Sequence, residues 1–196
     1  MKIKPLTYVL AAGALCLGIA TVGFADHHEE APAAQGEAAM PPMGPPPEMD
    51  ALQAMNGEYA VKFYYKMDPM AEEWIETDAT AVLSSVVGGG AQHMAFEGNM
   101  MGMPFSGTGL TSYDRYAERY QSTWVDSMGA RISLYTGTME DGKLVVTGTD
   151  VGPEGATYHS RLTTYNMTET GFDWTYEMSM DGTNYIVGAK ATYTRK

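Results

Sequence analysis

The chain has 196 residues, a formal net charge of −12 and one cysteine. That length allows one domain with one good core after any leader is removed. The acidic balance and the lack of any basic patch exclude nucleic acid and anionic lipid as partners, because neutralising phosphate takes Lys and Arg. Tyrosine, threonine and glycine are plentiful while leucine and lysine are scarce, a composition that favours strands and turns over helices.

Residues 1–25 have the form of a secretory signal peptide. Lys2 and Lys4 make a positive n-region, residues 6–22 are apolar and uncharged, and Gly23 and Ala25 place small residues at −3 and −1 of a cleavage site before Asp26. The expected product is periplasmic or secreted, with no membrane insertion after cleavage. Cys16 lies in the apolar run, so the mature domain is expected to hold no disulfide. It is preceded by Leu15 where a lipidation signal needs a small residue.

Residues 26–50 are rich in Ala, Pro, Glu and Met and contain almost no other apolar side chain. Such a segment cannot bury enough surface to offset its ordering entropy, and a disordered linker is expected. Two details in it carry possible chemistry. Cleavage after Ala25 leaves Asp26-His27-His28, whose terminal amine, two amides and the His28 imidazole form a square-planar nitrogen set suited to Cu(II) or Ni(II). Met40 and Met43 add thioethers suited to Cu(I).

From Gly57 onward, period-two segments alternate with turn signals. Strands are expected over residues 58–67, 74–87, 92–98, 105–113, 119–126, 130–138, 143–150, 157–167, 172–180 and 185–194. In the first, Tyr59, Val61, Phe63, Tyr65 and Met67 share a face. In the second, Ile75, Thr77, Ala79, Ala81 and Leu83 do. Residues 99–104 join the third and fourth, with Gly102 and Pro104 as turn residues, and Glu140-Asp141-Gly142 is a strong hairpin signal. The ninth has the clearest alternation, setting Phe172, Trp174, Tyr176, Met178 and Met180 opposite polar neighbours. Short helical turns fit only residues 52–56 and 69–73.

About ten antiparallel strands with short connections predict an all-β fold. An up-and-down β-barrel removes the edges best, with a sandwich as the alternative architecture, and the barrel domain is placed at residues 51–196. A barrel of this size is either filled by side chains or holds one small ligand.

The domain resembles the bacterial domain-of-unknown-function family numbered 1579. The residues that carry the likeness are Gly57-Glu58-Tyr59, Met67-Asp68-Pro69, Phe96-Glu97-Gly98, Met101-Gly102-Met103-Pro104-Phe105 and Gly107-Thr108-Gly109. Tyr113-Asp114, Tyr120, Trp124-Val125-Asp126-Ser127-Met128 and Tyr193-Thr194-Arg195 complete it. The resemblance implies a lipocalin-like, calycin-type barrel and no established activity. Its first strand opens Gly-x-Tyr where such barrels often have Gly-x-Trp, leaving Tyr59 to plug one end.

The candidate lumen residues are Phe63, Met94, Phe96, Tyr120, Trp124, Asp126, Trp174, Tyr176 and Met178. Trp124 two residues before Asp126 fits either a pocket with one polar anchor or a packed core in which Asp126 bonds an arginine or a tyrosine hydroxyl. The methionines at 94, 100, 101, 103 and 128 make an adaptable surface, either a lip over a barrel mouth or a packed turn. Some barrels of related fold bind haem through a late histidine. The last two strands here have none, leaving only His93 and His159, and the cofactor is unassigned. No P-loop, nucleophile elbow, metal-binding histidine pair or Cys-His pair occurs, so catalytic residues are not assigned. The expected function is therefore binding of a small apolar or amphipathic molecule. The alternatives are copper handling through the His/Met-rich tail, or a structural envelope module with a filled barrel.

Overall fold

The computed structural model describes residues 43–152 and 155–196. The expected leader, His28 and Met40 lie outside them.

Ten strands follow one another: β1 (Gly57–Tyr65), β2 (Ile75–Val86), β3 (Ala91–Met100), β4 (Met103–Asp114), β5 (Arg119–Asp126), β6 (Ser133–Glu140), β7 (Lys143–Val151), β8 (Thr157–Thr168), β9 (Gly171–Ser179) and β10 (Ile186–Arg195). Each pairs antiparallel with its sequence neighbours, and β1 pairs with β10 to close a ten-stranded up-and-down barrel. Closure leaves no edge strand, and the sandwich is excluded. No helix among the described residues is long and apolar enough to cross a membrane.

The turns follow local chemistry. Asp141 and Gly142 both have positive φ, 49° and 71°, as a type I′ hairpin requires. Met101 and Gly102 make a second tight turn of the same kind, with φ of 54° and 75° between paired Met100 and Met103. This corrects the six-residue loop expected there. Pro104 is a strand residue opposite Asn99, and regular pairing with β5 begins only at Gly107. A residue without an N–H is tolerated at such an edge-like position. Asp68-Pro69-Met70-Ala71 is a turn, not a helix: the Ala71 N–H bonds the Asp68 carbonyl at 2.9 Å, with Asp and Pro where a type I turn prefers them.

One end of the barrel is plugged by the residues just before β1. A 3₁₀ turn (Pro47–Met49) runs into α1 (Asp50–Gln53), and Met49, Leu52 and Met55 are all buried. Residues 47–50, expected as linker, are thus ordered against the barrel. The three apolar side chains recur every third residue on one face, which the surrounding Pro/Ala/Glu composition obscured. The plug is held through its carbonyls. Tyr59 Oη donates to Met55 O at 2.5 Å, Tyr120 Oη to Glu48 O at 2.6 Å, and Gln92 Nε2 to Leu52 O. Arg195 completes the latch, donating to the carbonyls of Asn56, Ala54 and Glu169 at 2.6, 2.9 and 2.6 Å, with its guanidinium 5.4 Å from the Tyr59 ring centre. Tyr59, fully buried, packs edge-on against Phe172 at 5.3 Å. Tyr59 therefore closes this end as the Gly-x-Tyr opening of β1 implied.

Candidate ligand-binding site

Above the plug the barrel is hollow. A cavity of about 550 Å³ opens at the opposite end, where the β1–β2 loop, the Met101-Gly102 turn and the β5–β6 connection meet. Its wall is a belt of rings. Phe63 lies 6.4 Å from Trp174 and 5.7 Å from Phe96 between centroids; Phe96 continues to Phe105 at 5.9 Å and Trp124 at 6.5 Å, and Trp174 to Tyr176 at 6.4 Å. Phe63, Phe96, Trp124 and Trp174 sit on alternate strands, and small residues on the strands between them allow their contacts; Phe105 is on β4 beside Phe96, and Tyr176 follows Trp174 on β9. Ala191 on β10 pairs with both Phe63 and Trp174, and Ala79 and Ala81 on β2 separate β1 from β3. Offset and edge-on ring pairs at such distances contribute about 0.5–1.5 kcal/mol each beyond the burial of their area.

Gly107 and Gly109 on β4 explain how Trp124 reaches this belt. A Cβ at Gly107 would stand 2.1 Å from the Trp124 Cζ2, and one at Gly109 would stand 2.3 Å from the Thr123 carbonyl oxygen. The indole lies where side chains would otherwise be. The alternating glycines make room for a ring by allowing this close approach.

Eight of the nine sequence candidates line the cavity: Phe63, Met94, Phe96, Trp124, Asp126, Trp174, Tyr176 and Met178. Tyr120 does not. It shares the inner face of β5 with Trp124 and Asp126, but it stands at the plugged end, buried and bonded to Glu48 O. Six residues along a strand span about 20 Å, so sharing a face does not mean sharing a site. Met180 lies beyond the end of β9 and is exposed.

Asp126 is paired, with partners other than those expected. It accepts from the Trp124 Nε1–H at 3.1 Å and from the backbone N–H groups of Met128 and Gly129 at 3.0 and 2.8 Å. It orients the indole and caps the turn after β5. The acidic residue that anchors the other side of the lumen wall, missed in the sequence, is Asp150 at the end of β7. It is buried, and Ser133, Tyr135 and Ser160 donate to its carboxylate. Burial raises the phenols of Tyr135 and Tyr176 above the ordinary tyrosine range, and the nearby Asp150 charge adds to the rise at Tyr135. Both stay protonated at neutral pH.

The mouth carries Met67, Met100 and Met128, with Lys66 and Pro69 beside them. Met67 and Met128 are exposed, an adaptable apolar rim. Lys66 and Lys190 place their ammonium groups 4.8 and 4.5 Å from the Trp74 ring centre, which ties down the β1–β2 loop. His93 and His159 stand next in sequence to inward residues and so lie on the outer face of the barrel. His93 pairs with Thr108 Oγ1 at 2.6 Å, so no histidine of β3 or β8 offers the lumen a haem ligand. Among the described residues no group of three His, Cys, Asp or Glu side chains is arranged to hold a metal ion.

The profile of a family described as "Protein of unknown function (DUF1579)" matches residues 44–195. The chain belongs to that family. The match takes in both the plug and the whole barrel. Among solved structures, the protein is similar to Rv2717c from M. tuberculosis, with 14% identity and a TM-score of 0.54 over 78% of this chain and 99% of that one. It is also similar to the S-type phycobiliprotein lyase CPES from Guillardia theta, with 11% identity and a TM-score of 0.49 over 73% of this chain and 89% of that one. The first likeness speaks for the lipocalin-like barrel fold alone. No curated protein sequence matches the chain.

Proposed function

We propose that this protein binds a small apolar or amphipathic molecule inside its barrel, as a carrier or receptor and not as an enzyme, and that it does so outside the cytoplasm. The observation that carries the reading is the open, aromatic-walled cavity of about 550 Å³. Its volume lies within the range of small-molecule sites, and its wall is apolar with a few placed polar groups. A structural module with a filled barrel has no use for such a space, since an empty apolar cavity costs stability. The signal-peptide pattern in the sequence of residues 1–25 supports the location.

Native mass spectrometry of protein released gently from its host envelope tests the first part, with an added mass expected on the intact barrel. A panel of lipids and aromatic compounds adds a second reading, because a ligand at one hundred times its dissociation constant stabilises by about 2.7 kcal/mol. No bound mass together with no ligand-dependent rise in Tm across the panel would sink the proposal. N-terminal sequencing of the fractionated protein tests the location, with Asp26 expected as the first residue; an intact Met1 in the cytosol contradicts it.

A further inference from the structure

The polar side of the lumen has a direction that the ring belt lacks. Three hydroxyls converge on the buried Asp150. Ser133 Oγ donates to Oδ1 at 2.5 Å, while Ser160 Oγ and Tyr135 Oη donate to Oδ2 at 2.9 and 3.2 Å. Arg131 stands 3.9 Å from Oδ1. A carboxylate only accepts, so each hydroxyl gives it a proton, and each has only one. The proton of Ser160 goes to the charged acceptor, the stronger bond of the two open to it. The Tyr176 hydroxyl then has two partners on the wall that can take its proton, Ser160 Oγ at 3.3 Å and the Tyr158 hydroxyl. Tyr135 and Tyr176 both line the cavity, and both spend their protons on the wall. What each has left is an oxygen lone pair.

Several other lumen donors are spent in the same way, while the Thr111–Ser122 hydroxyl pair, bonded at 3.0 Å, keeps one proton on the β4–β5 side of the cavity. The Trp124 indole N–H goes to Asp126, and the two amide protons of Gln92 go to Leu52 O and Asn56 Oδ1. Tyr65 accepts from the Met101 N–H at 2.9 Å and keeps its own proton, but it stands at the rim. Lys66 and Asp126 are the only charged side chains lining the cavity among the described residues, and the Lys66 ammonium rests over Trp74.

We propose that the lumen selects amphipathic guests whose polar end donates hydrogen bonds, an alcohol or an ammonium, and sets that end against the Tyr135 and Tyr176 oxygens in preference to a carboxylate. The proposal rests on the reading that the barrel holds an amphipathic guest. A carboxylate at this wall meets oxygens with no proton to offer and gives up its water without replacement. The net charge of −12 adds a field that opposes anions.

The test is displacement of a neutral naphthylamine fluorophore from the mature chain by four ligands of equal length: dodecanol, dodecylammonium, laurate and methyl laurate, each below its aggregation concentration. Dodecanol and dodecylammonium are expected to compete about tenfold better than laurate. Tyr176→Phe removes one lumen oxygen and leaves all three hydroxyl donors of Asp150 in place. It is expected to weaken the alcohol and the amine about three- to tenfold, the loss of one hydrogen bond, and to leave methyl laurate unchanged. Laurate binding as well as the alcohol overturns the proposal. So does a Tyr176→Phe effect that is equal for all four ligands, and in both cases the binding reading stands. If neither fluorophore nor any of the four binds, the reading beneath it falls as well.

Discussion

Gly188→Leu separates an open lumen from a packed core by the sign of its effect. Gly188 lies on β10 at the register shift between Val187 and Ala189, is buried and lines the cavity. A Cβ there would stand 3.7 Å from Tyr176 Cδ1 and 3.9 Å from Met178 Cε, both ordinary contact distances. A leucine adds four carbons to empty space, worth about 3 kcal/mol at about 0.8 kcal/mol per buried methylene. Holding the side chain costs about 0.5–1 kcal/mol, and restricting the unfolded glycine returns about as much. The apo protein should therefore gain about 3 kcal/mol, seen as a rise in Tm of roughly 6–12 °C in thermal unfolding followed by circular dichroism. The same side chain takes up room that a guest needs, so affinity for the naphthylamine fluorophore should fall about tenfold. In a packed core the substitution would cost about 1–3 kcal/mol by overpacking. A lower Tm with fluorophore affinity retained refutes the reasoning.

Arg195→Met removes the donors to two plug carbonyls and to Glu169 O of the β8–β9 turn and should lower stability by about 2 kcal/mol in denaturant titration, with a change below about 0.5 kcal/mol showing that the latch is idle. Gly107→Ala forces the Trp124 indole from its seat and should cost about 1–3 kcal/mol, together with a shift in tryptophan emission; an unchanged spectrum contradicts the close packing. Alkaline pH is a third lever. Burial raises the phenols of Tyr135, Tyr176 and Tyr193 in the folded state. Their contribution is fully present below the unfolded value of about 10 and is lost as pH climbs toward the folded values, by up to about 1.4 kcal/mol per unit for each group. Unfolding above about pH 10 should then coincide with the appearance of tyrosinate absorption from these groups. Their full titration in a protein that keeps its native circular dichroism would show that they are not buried as described.

The barrel could be read from the chain because its signals are local. Alternation with period two marked ten strands, the bounds of β5 agree to the residue, and Asp141-Gly142 forms the turn its residues require. The inner faces of β1 and β2 follow from the same alternation. Distance along the barrel axis was not legible. Tyr120, Trp124 and Asp126 share a face, and only the plug shows that Tyr120 belongs to the far end. Asp150 escaped notice because it ends a strand just before Val151-Gly152, where an acidic residue looks like turn chemistry. Its partners Ser133, Tyr135 and Ser160 come from β6 and β8, brought in by sheet register. The methionines misled in the opposite direction. Met49 helps fill the plug, although the residues around it have the composition of a linker.

The two ends of the barrel are built from different chemistry, and the difference decides how a guest enters. Opening the plugged end would break the two Arg195 bonds to Asn56 and Ala54, the Gln92 bond to Leu52 and the tyrosine bonds to Met55 and Glu48, at about 1 kcal/mol each. It would also expose Met49, Leu52 and Met55, at about 1.5–3 kcal/mol each. The sum, about 10 kcal/mol or more, is comparable to the whole stability of a typical domain, so this end opens only when the barrel unfolds. At the rim the obstacles are flexible thioether side chains, of which Met67 and Met128 are already exposed and change rotamer without breaking a hydrogen bond. A guest therefore passes the methionines and meets the ring belt, with its far end stopped by the plug. The wall that carries Tyr135, Ser160 and Asp150 lies along the β6–β8 side of that path, opposite the Phe63 rings of β1. An amphipathic molecule entering this way has one polar wall and one aromatic wall to turn between.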